Sequence, residues 1–356
     1  MKRKIEKQVQ PEKATRRDFV KIGVAGSVGL ALGAQVSASD QAPQGKQPAP
    51  FNERTQTAMP TRNLGKTGYK VGIFSLGGQA TIEQPNMEEQ AVAIINRAID
   101  LGVNYIDTAA QYGGADQWSQ KYIGRVMKTR RREVFLTSKT HRRTYDESMK
   151  LLDSSLKQLN TDHLDLWQLH NIQRTEELDR IFARDGAIHA LEKAKSGGMV
   201  RFVGITGHFD PAVLADGIRR YKFDTILMAV NAADKHHLSF IDNLLPLALE
   251  QQLGIIGMKV PARGRILATW VPPPLDQQPD FGRATRSGTI TMRDALEYAM
   301  SLPVSTIIVG CDNPQQVEEN ARIAKEFTPL TEKKMAELVA KTEEIQKQAL
   351  FFRNWA

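Results

Sequence analysis

A chain of 356 residues with 41% hydrophobic and 25% charged side chains has the composition of an ordinary globular protein and the length for one large domain or two small ones. Its formal charge of +8 does not point to nucleic acid. Residues 1–38 hold eight Lys/Arg against three Asp/Glu, and the excess left over the other residues is small and dispersed. With Cys311 as the only cysteine, no intramolecular disulfide can form.

The leader, residues 1–38, is expected to be an export signal. Arg16 and Arg17 in "TRRDFVKIG" precede a short apolar run rich in Gly and Ala, which ends in the small residues Val36-Ser37-Ala38. The paired arginines resemble a twin-arginine signal. That resemblance implies the twin-arginine export machinery as a partner, a periplasmic mature protein, and folding before export, in keeping with the missing disulfide. The apolar run is short and glycine-rich for a membrane-spanning helix, so no stable span is expected in the mature chain. Residues 39–58, rich in Pro, Gln and Ala, are expected to be a disordered linker.

From residue 59 to 356 the chain reads as one domain of alternating strands and helices. A hairpin-like opening, "RNLGKTGYKVG", precedes a first inner strand, "IFSLGG". Seven further strand patterns follow: "NYIDTA", "VFLTSKT", "LDLWQLHNI", "VRFVGITG", "DTILMAVNA", "GIIGMKVP" and "VSTIIVG". Helical patterns with apolar residues at three-and-four spacing lie between them, such as "MEEQAVAIINRAIDL" and "FIDNLLPLALEQQ". Residues 262–290 form a longer excursion rich in Pro, Gly and Arg, expected to be a lid or disordered. The pattern "EKKMAELVAKTEEIQKQALFF" reads as an extra C-terminal helix. Eight apolar strands alternating with helices favour a parallel sheet closed into a (β/α)8 (TIM) barrel. An open doubly wound sheet is the alternative, but its G-x-G-x-x-G turn is missing after the first strand.

In such a barrel the reacting groups sit at the C-terminal ends of the strands. Asp107, Tyr112, Lys139 and His170 fall at or just beyond the ends of strands two, three and four. A phenol is a poor acid near neutrality, and a neighbouring ammonium stabilises its anion. A buried ammonium in turn needs a counter-charge. Asp107 is therefore expected to hold Lys139, Lys139 to tune Tyr112 as an acid, and His170 to orient a carbonyl oxygen. Each residue alone has a plainer role as a cap, a solvated lysine, a core histidine or loop packing. The four together on adjacent strand ends argue for chemistry. Tyr112, Trp118 and Trp270 are expected as pocket walls, while alternation turns Trp167 away from His170.

The stretches "GVNYIDTAAQYG", "FLTSKT" and "LDLWQLH", in this order, resemble the aldo-keto reductase superfamily, and the likeness runs from about residue 62 to 324. The resemblance implies hydride transfer between a nicotinamide cofactor and an aldehyde or ketone, without metal, with Asp107, Tyr112, Lys139 and His170 as the catalytic tetrad. It also implies cofactor contacts at Thr206 and His208 after strand five, Asn231 in strand six and Lys259 after strand seven. Gly310, Asp312, Gln316 and Asn320 would contact the cofactor in the eighth turn and helix. That turn departs from NADP-preferring relatives: it carries Asp312 where they have Lys or Arg, with Arg322 and Lys325 nearby in compensation. NADP(H) is placed ahead of NAD(H), and the substrate is expected to be a small carbonyl or sugar-like molecule. Two other readings stay open: a non-catalytic cofactor-binding or regulatory subunit on the same barrel, and a Schiff-base lyase using Lys139, which the charge of Asp107 disfavours.

Overall fold

The computed structural model describes residues 48–278 and 283–355; the signal-like leader lies outside them. The described part begins with α1 (Thr55–Ala58) and the antiparallel hairpin β1 (Thr61–Asn63) and β2 (Lys70–Gly72). The repeating part then runs β3 (Phe74–Gly77), α2 (Glu88–Asp100), β4 (Tyr105–Asp107), α3 (Trp118–Arg130), β5 (Phe135–Thr140), α4 (Tyr145–Gln158) and β6 (Leu164–Leu169). It continues with α5 (Thr175–Phe182), α6 (Ala187–Ser196), β7 (Val200–Gly207), α7 (Pro211–Arg220), β8 (Thr225–Ala229), α8 (Phe240–Asn243), α9 (Leu245–Glu250) and β9 (Gly254–Met258). The last elements are α10 (Met292–Ser301), β10 (Thr306–Val309), α11 (Pro314–Lys325), α12 (Glu332–Thr342) and α13 (Gln346–Ala349).

Strands β3 to β10 are parallel and close on one another, β10 pairing with both β3 and β9. The expected (β/α)8 barrel is the fold. Helix α2 shows why the sequence wraps this way: Ala91, Ile94, Ile95, Ala98 and Ile99 form one buried stripe against the sheet. Along the strands, period-two alternation separates two cores. Trp167 and Leu169 join the large core between strands and helices. Tyr105, Phe135, Leu166, Leu227, Ile256 and Ile308 meet inside the barrel. The hairpin plugs the bottom of that interior with Leu64, Tyr69 and Val71, and the Tyr69 hydroxyl donates to the Asn104 carbonyl at 3.0 Å. The barrel interior is therefore reached from the C-terminal ends of the strands.

Several expectations change. Of the expected linker 39–58, residues 39–47 lie outside the described residues, and residues 48–58 are packed against the domain rather than disordered. Asn52 Nδ2 donates to the Ile99 and Val103 carbonyls and Thr55 Oγ1 to the Gly102 carbonyl, so this polar segment satisfies the end of α2, where carbonyls have no helical partner. Helix α5 is an element the sequence reading did not separate. The helix expected over "FIDNLLPLALEQQ" breaks at Leu244 into α8 and α9, with Pro246 in the first turn of the second piece. The C-terminal helix is also interrupted: α12 and α13 are joined by a 3-10 turn, where His236 and the Ala232 carbonyl engage Thr342. The 262–290 excursion is anchored rather than loose across its described residues. Gln348 Nε2 donates to the Arg265 and Arg286 carbonyls, and the Gln278 amide bonds both the N–H and the carbonyl of Ala284. Among the described residues no helix is long and apolar enough to cross a membrane.

The C-terminal tail docks over the loops that follow β7 and β8. Arg353 forms a wholly buried ion pair with Asp234, whose other oxygen accepts from Ser239 Oγ and Ile241 N, and the guanidinium lies 4.0 Å from the Phe240 ring centroid. Phe352 meets the edge of His208, with ring centroids 5.3 Å apart. Breaking a buried pair from one side leaves an unpaired charge, so Arg353→Met is expected to cost about 3–5 kcal/mol in urea unfolding. Removing Arg180 from its exposed pair with Asp185 should change little. Burial, followed by Lys259, pushes the His208 imidazole down to about 3. Between that value and the unfolded 6.5, the unfolded chain binds the extra proton, so stability falls as pH is lowered through this window. A His208→Gln variant should show a shallower loss of Tm between about pH 6.5 and 4 than the parent.

Candidate active site

Three neighbouring strands deliver the site. Asp107 ends β4, Lys139 is the fifth residue of β5, and His170 follows the last residue of β6. In register, Asp107 lies opposite Thr137, and Lys139 opposite Gln168, so Lys139 stands one inward layer nearer the mouth than Thr137. Asp107 and Lys139 are each 1% exposed and form a direct ion pair. The other carboxylate oxygen accepts from Thr137 Oγ1 at 2.9 Å, and Lys139 Nζ also donates to the Thr108 carbonyl at 2.9 Å. The third direction of the ammonium faces Tyr112: Nζ to hydroxyl is 3.5 Å, and Nζ lies 4.9 Å from the ring centroid.

Tyr112 sits on a turn held by local geometry. Its N–H donates to the Ala109 carbonyl, and Gly113 follows with φ +84°, a left-handed conformation natural to glycine. A Cβ at Gly113 would fall 2.6 Å from Trp118, so glycine is needed for contact as well as for angle. The Tyr112 and His170 rings meet edge-on, centroids 5.6 Å apart at 78°. His170 Nδ1 is buried without a hydrogen-bond partner, while Arg143 holds the backbone behind it by donating to the His170 and Asn171 carbonyls.

The electrostatics correct one expectation. The phenol is not acidic in the bare site: burial above all, then Asp107 and Glu83, push it well above its usual range, and Arg263 pulls only partly against them. Lys139 has its charge satisfied mainly by Asp107, and burial draws its own pKa down while Asp107 holds it up. Burial, with Lys139 next, drives His170 well below the ordinary imidazole range. The ring is a neutral donor or acceptor at neutral pH.

Tyr112, Lys139 and His170 open on a cavity of about 290 Å³ that is also lined by Thr206, His208 and Lys259. Asn231 does not line it; its amide is used within the protein, donating to the Lys259 carbonyl and accepting from Ala233 N. Thr206 Oγ1 accepts from Asn171 N at 2.8 Å. Gly310 and Asp312 lie in the turn before α11, and Gln316 and Asn320 on that helix, beside the cavity. A Cβ at Gly310 would lie 3.1 Å from the carbonyl oxygen of Gln79, which lines the cavity. Within that turn Gln316 Oε1 accepts from Asp312 N, Asn313 caps α11, and Asn320 Nδ2 reaches Cys311 Sγ. Trp118 and Trp270 are not walls: the first stacks on Tyr122, the second packs against Gly264.

The sequence reading missed Gln79, Glu83, Gln111, Asn171, Leu227 and Met258, all lining residues. Only Asn171 carried a signal, directly after His170 and in the left-handed conformation (φ 51°) that asparagine tolerates.

Residues 70–269 match the model of the aldo/keto reductase family. The chain is 28% identical over 296 residues to an L-galactose dehydrogenase of Arabidopsis thaliana, covering 77% of this chain and 91% of that one. It is 25% identical over 284 residues to a D-threo-aldose 1-dehydrogenase of a Pseudomonas species, covering 67% and 84%. Among solved structures, an aldo-keto reductase from Klebsiella pneumoniae in complex with NADPH shares the fold with a TM-score of 0.61 and 22% identity, over 78% of this chain and 93% of that one. The family match spans more than half of the sequence: the protein belongs to the aldo/keto reductase family and is an NAD(P)-dependent oxidoreductase.

Proposed function

We propose that the protein interconverts a small hydroxylated aldehyde or ketone and its alcohol, with Tyr112 as the proton donor and acceptor. One observation carries this reading: a buried Asp107–Lys139 pair whose ammonium reaches the Tyr112 hydroxyl at 3.5 Å, in a cavity shared with His170. The names of the sugar-oxidising relatives and the polar lining of the cavity support a sugar-like substrate.

A nicotinamide dinucleotide, when bound, would supply the hydride for reduction of the carbonyl or take it up in oxidation of the alcohol. Thr206, His208 and Lys259 would hold it along the cavity wall, and Gly310, Asp312, Gln316 and Asn320 beside it. The fit rests on Lys259, which lines the cavity with no ion pair among the described residues and whose ammonium is drawn down to about 8 by burial and then by Arg263. An anionic diphosphate would relieve that strain. NADP(H) is preferred over NAD(H) on family habit, although Arg322, one of the two compensating cations, is engaged by Glu326.

The chain's own groups manage the proton. His170, neutral and unpartnered at Nδ1, orients the carbonyl oxygen. Tyr112, held protonated by burial, delivers its proton to that oxygen, and the phenolate left behind lies within reach of Lys139. Asp107 and Thr137 keep the ammonium aimed. In the oxidative direction the same phenolate takes the proton back.

The paired Arg16 and Arg17 before the apolar run support export through the twin-arginine machinery to the periplasm, with the dinucleotide carried bound. Mass spectrometry of the protein purified from the export compartment should find the dinucleotide.

Tyr112→Phe should bind NADPH as the parent does, by nucleotide fluorescence, yet lose turnover of a carbonyl panel by about 10² to 10⁴. Equal turnover would remove the phenol from the mechanism. Because His170 titrates well below its usual range and Tyr112 well above, kcat for reduction should stay flat from about pH 6 to about pH 8. A titration centred near 6.5 would show that the imidazole is not held neutral.

A further inference from the structure

The loop after β3 brings a carboxylate to the catalytic cavity. Glu83 ends a 3-10 turn, Ala80–Glu83, and lines the cavity together with Gln111 and Tyr112. The turn is pinned at both ends. At its start, Thr81 Oγ1 donates to the Asp312 carbonyl at 3.0 Å, and the Gln79 carbonyl abuts Gly310, where a Cβ would lie 3.1 Å from it. At its end, the Glu83 carbonyl abuts Gly113, where a Cβ would lie 3.0 Å from it. Gly113 directly follows Tyr112. Gln79 thus borders the turn assigned to the dinucleotide, whereas Glu83 borders the turn that carries the reacting phenol.

The carboxylate keeps capacity to accept hydrogen bonds. Gln79 Nε2 donates to its two oxygens at 3.3 and 3.2 Å, and among the described residues it pairs with no cation. A carboxylate offers about four lone-pair sites, so most remain unfilled. Asn171, directly after His170, lines the cavity in a left-handed conformation (φ 51°). Its backbone N–H is given to Thr206 Oγ1 and its carbonyl is taken by Arg143, but its Oδ1 is buried without a partner. Acceptors that flank both Tyr112 and His170 call for donors on the substrate. An apolar aldehyde would strip them of water and give nothing back. A cationic amine would also meet Lys259 and Arg263, which line the same cavity. Hydroxyl groups are the neutral donors that fit.

We propose that Glu83 is a specificity-determining residue: its carboxylate, steadied by Gln79, accepts from hydroxyls close to the carbonyl that Tyr112 and His170 hold, with the Asn171 amide beside His170 as a further partner. The inference rests on the oxidoreductase reading above and deepens it, naming neutral polyhydroxylated aldehydes or ketones as the substrate class and the residue that selects them. The cavity, about 290 Å³, has to take the nicotinamide ring as well, which keeps the substrate short.

The test uses the full mature chain with NADPH and two three-carbon probes, D-glyceraldehyde and propanal, each corrected to its free aldehyde concentration. They share the aldehyde and differ in two hydroxyls. The parent should reduce glyceraldehyde with kcat/KM about tenfold or more above propanal. Glu83→Gln keeps the shape and removes the charge. It should lower that ratio about tenfold, through KM for glyceraldehyde with kcat little changed. Glu83→Ala should lower the ratio further. Both variants should bind NADPH with the parent's Kd by nucleotide fluorescence.

Equal kcat/KM for the two probes in the parent would overturn the proposal. So would an unchanged ratio in both variants, which would leave Glu83 as a support of its loop. A weakened NADPH Kd would overturn it too, for the carboxylate would then serve a ribose of the cofactor. Nucleotide binding with no turnover of any carbonyl would instead sink the oxidoreductase reading, and this inference with it.

Discussion

A carboxylate and an ammonium, each 1% exposed, stand in direct contact at the end of two adjacent strands, and the rest of the site is arranged around them. Removing two such charges from water is unfavourable unless their remaining valences are filled. Here they are. Thr137 and Lys139 occupy the two oxygens of Asp107, and the Thr108 carbonyl takes a further proton of the ammonium. What is left points at Tyr112. The pair is possible only because β4 and β5 are hydrogen-bonded neighbours whose register sets Asp107 beside Thr137, with Lys139 one inward step further. A slip of one residue in either strand would turn one partner into the helix layer. Strand register is therefore the first determinant of the chemistry.

On the proposed mechanism the same pair explains how a phenol could serve as an acid while being hard to ionise. Burial and two nearby carboxylates oppose the phenolate in the bare site. A donor for carbonyl reduction has to keep its proton until an acceptor oxygen gains negative charge, so a raised pKa keeps the group loaded. In the proposed reaction the ammonium would matter at the later moment, when the phenolate forms in a place water reaches poorly. From the sequence alone, Lys139 is expected to acidify Tyr112 beforehand; the proposed mechanism gives it the narrower task of stabilising what transfer would create.

Much of this was legible from the chain alone, for physical reasons. Inward-facing positions alternate along each strand, so an acid, a lysine and a histidine at successive strand ends had to share the barrel mouth. Trp167 was correctly turned outward by the same rule. Legibility failed wherever tertiary contacts overrode local pattern. Asn52 and Thr55 look like linker residues until the open carbonyls of α2 are in place to receive them. Thr342 reads as mid-helix until His236 and the Ala232 carbonyl take its hydroxyl. Gln79, Glu83 and Gln111 belong to loops, and nothing in their spacing announces that they meet above β3 and β4. Arg353 gives no hint of its partner Asp234, more than a hundred residues away.

These two kinds of information divide along the axis of the barrel. At the bottom, the hairpin residues Leu64, Tyr69 and Val71 seal the interior against the lowest layer of strand side chains. In the middle, β4, β5 and β6 fix the reacting groups by register. At the top, loops after β3, β4, β6 and β9 add the polar side chains that a substrate would meet. Sequence periodicity governs the lower two levels, because burial and hydrogen-bonded strands repeat. The upper level is aperiodic, and there the backbone departs most from regular values, as Lys259 and Arg263 show. The proposed catalytic groups thus belong to the repeating part of the fold, whereas most of the other polar side chains that line the cavity belong to the irregular part. Loop residues can change without disturbing the Asp107–Lys139 pair, so a barrel of this kind can alter what it acts on while keeping how it acts.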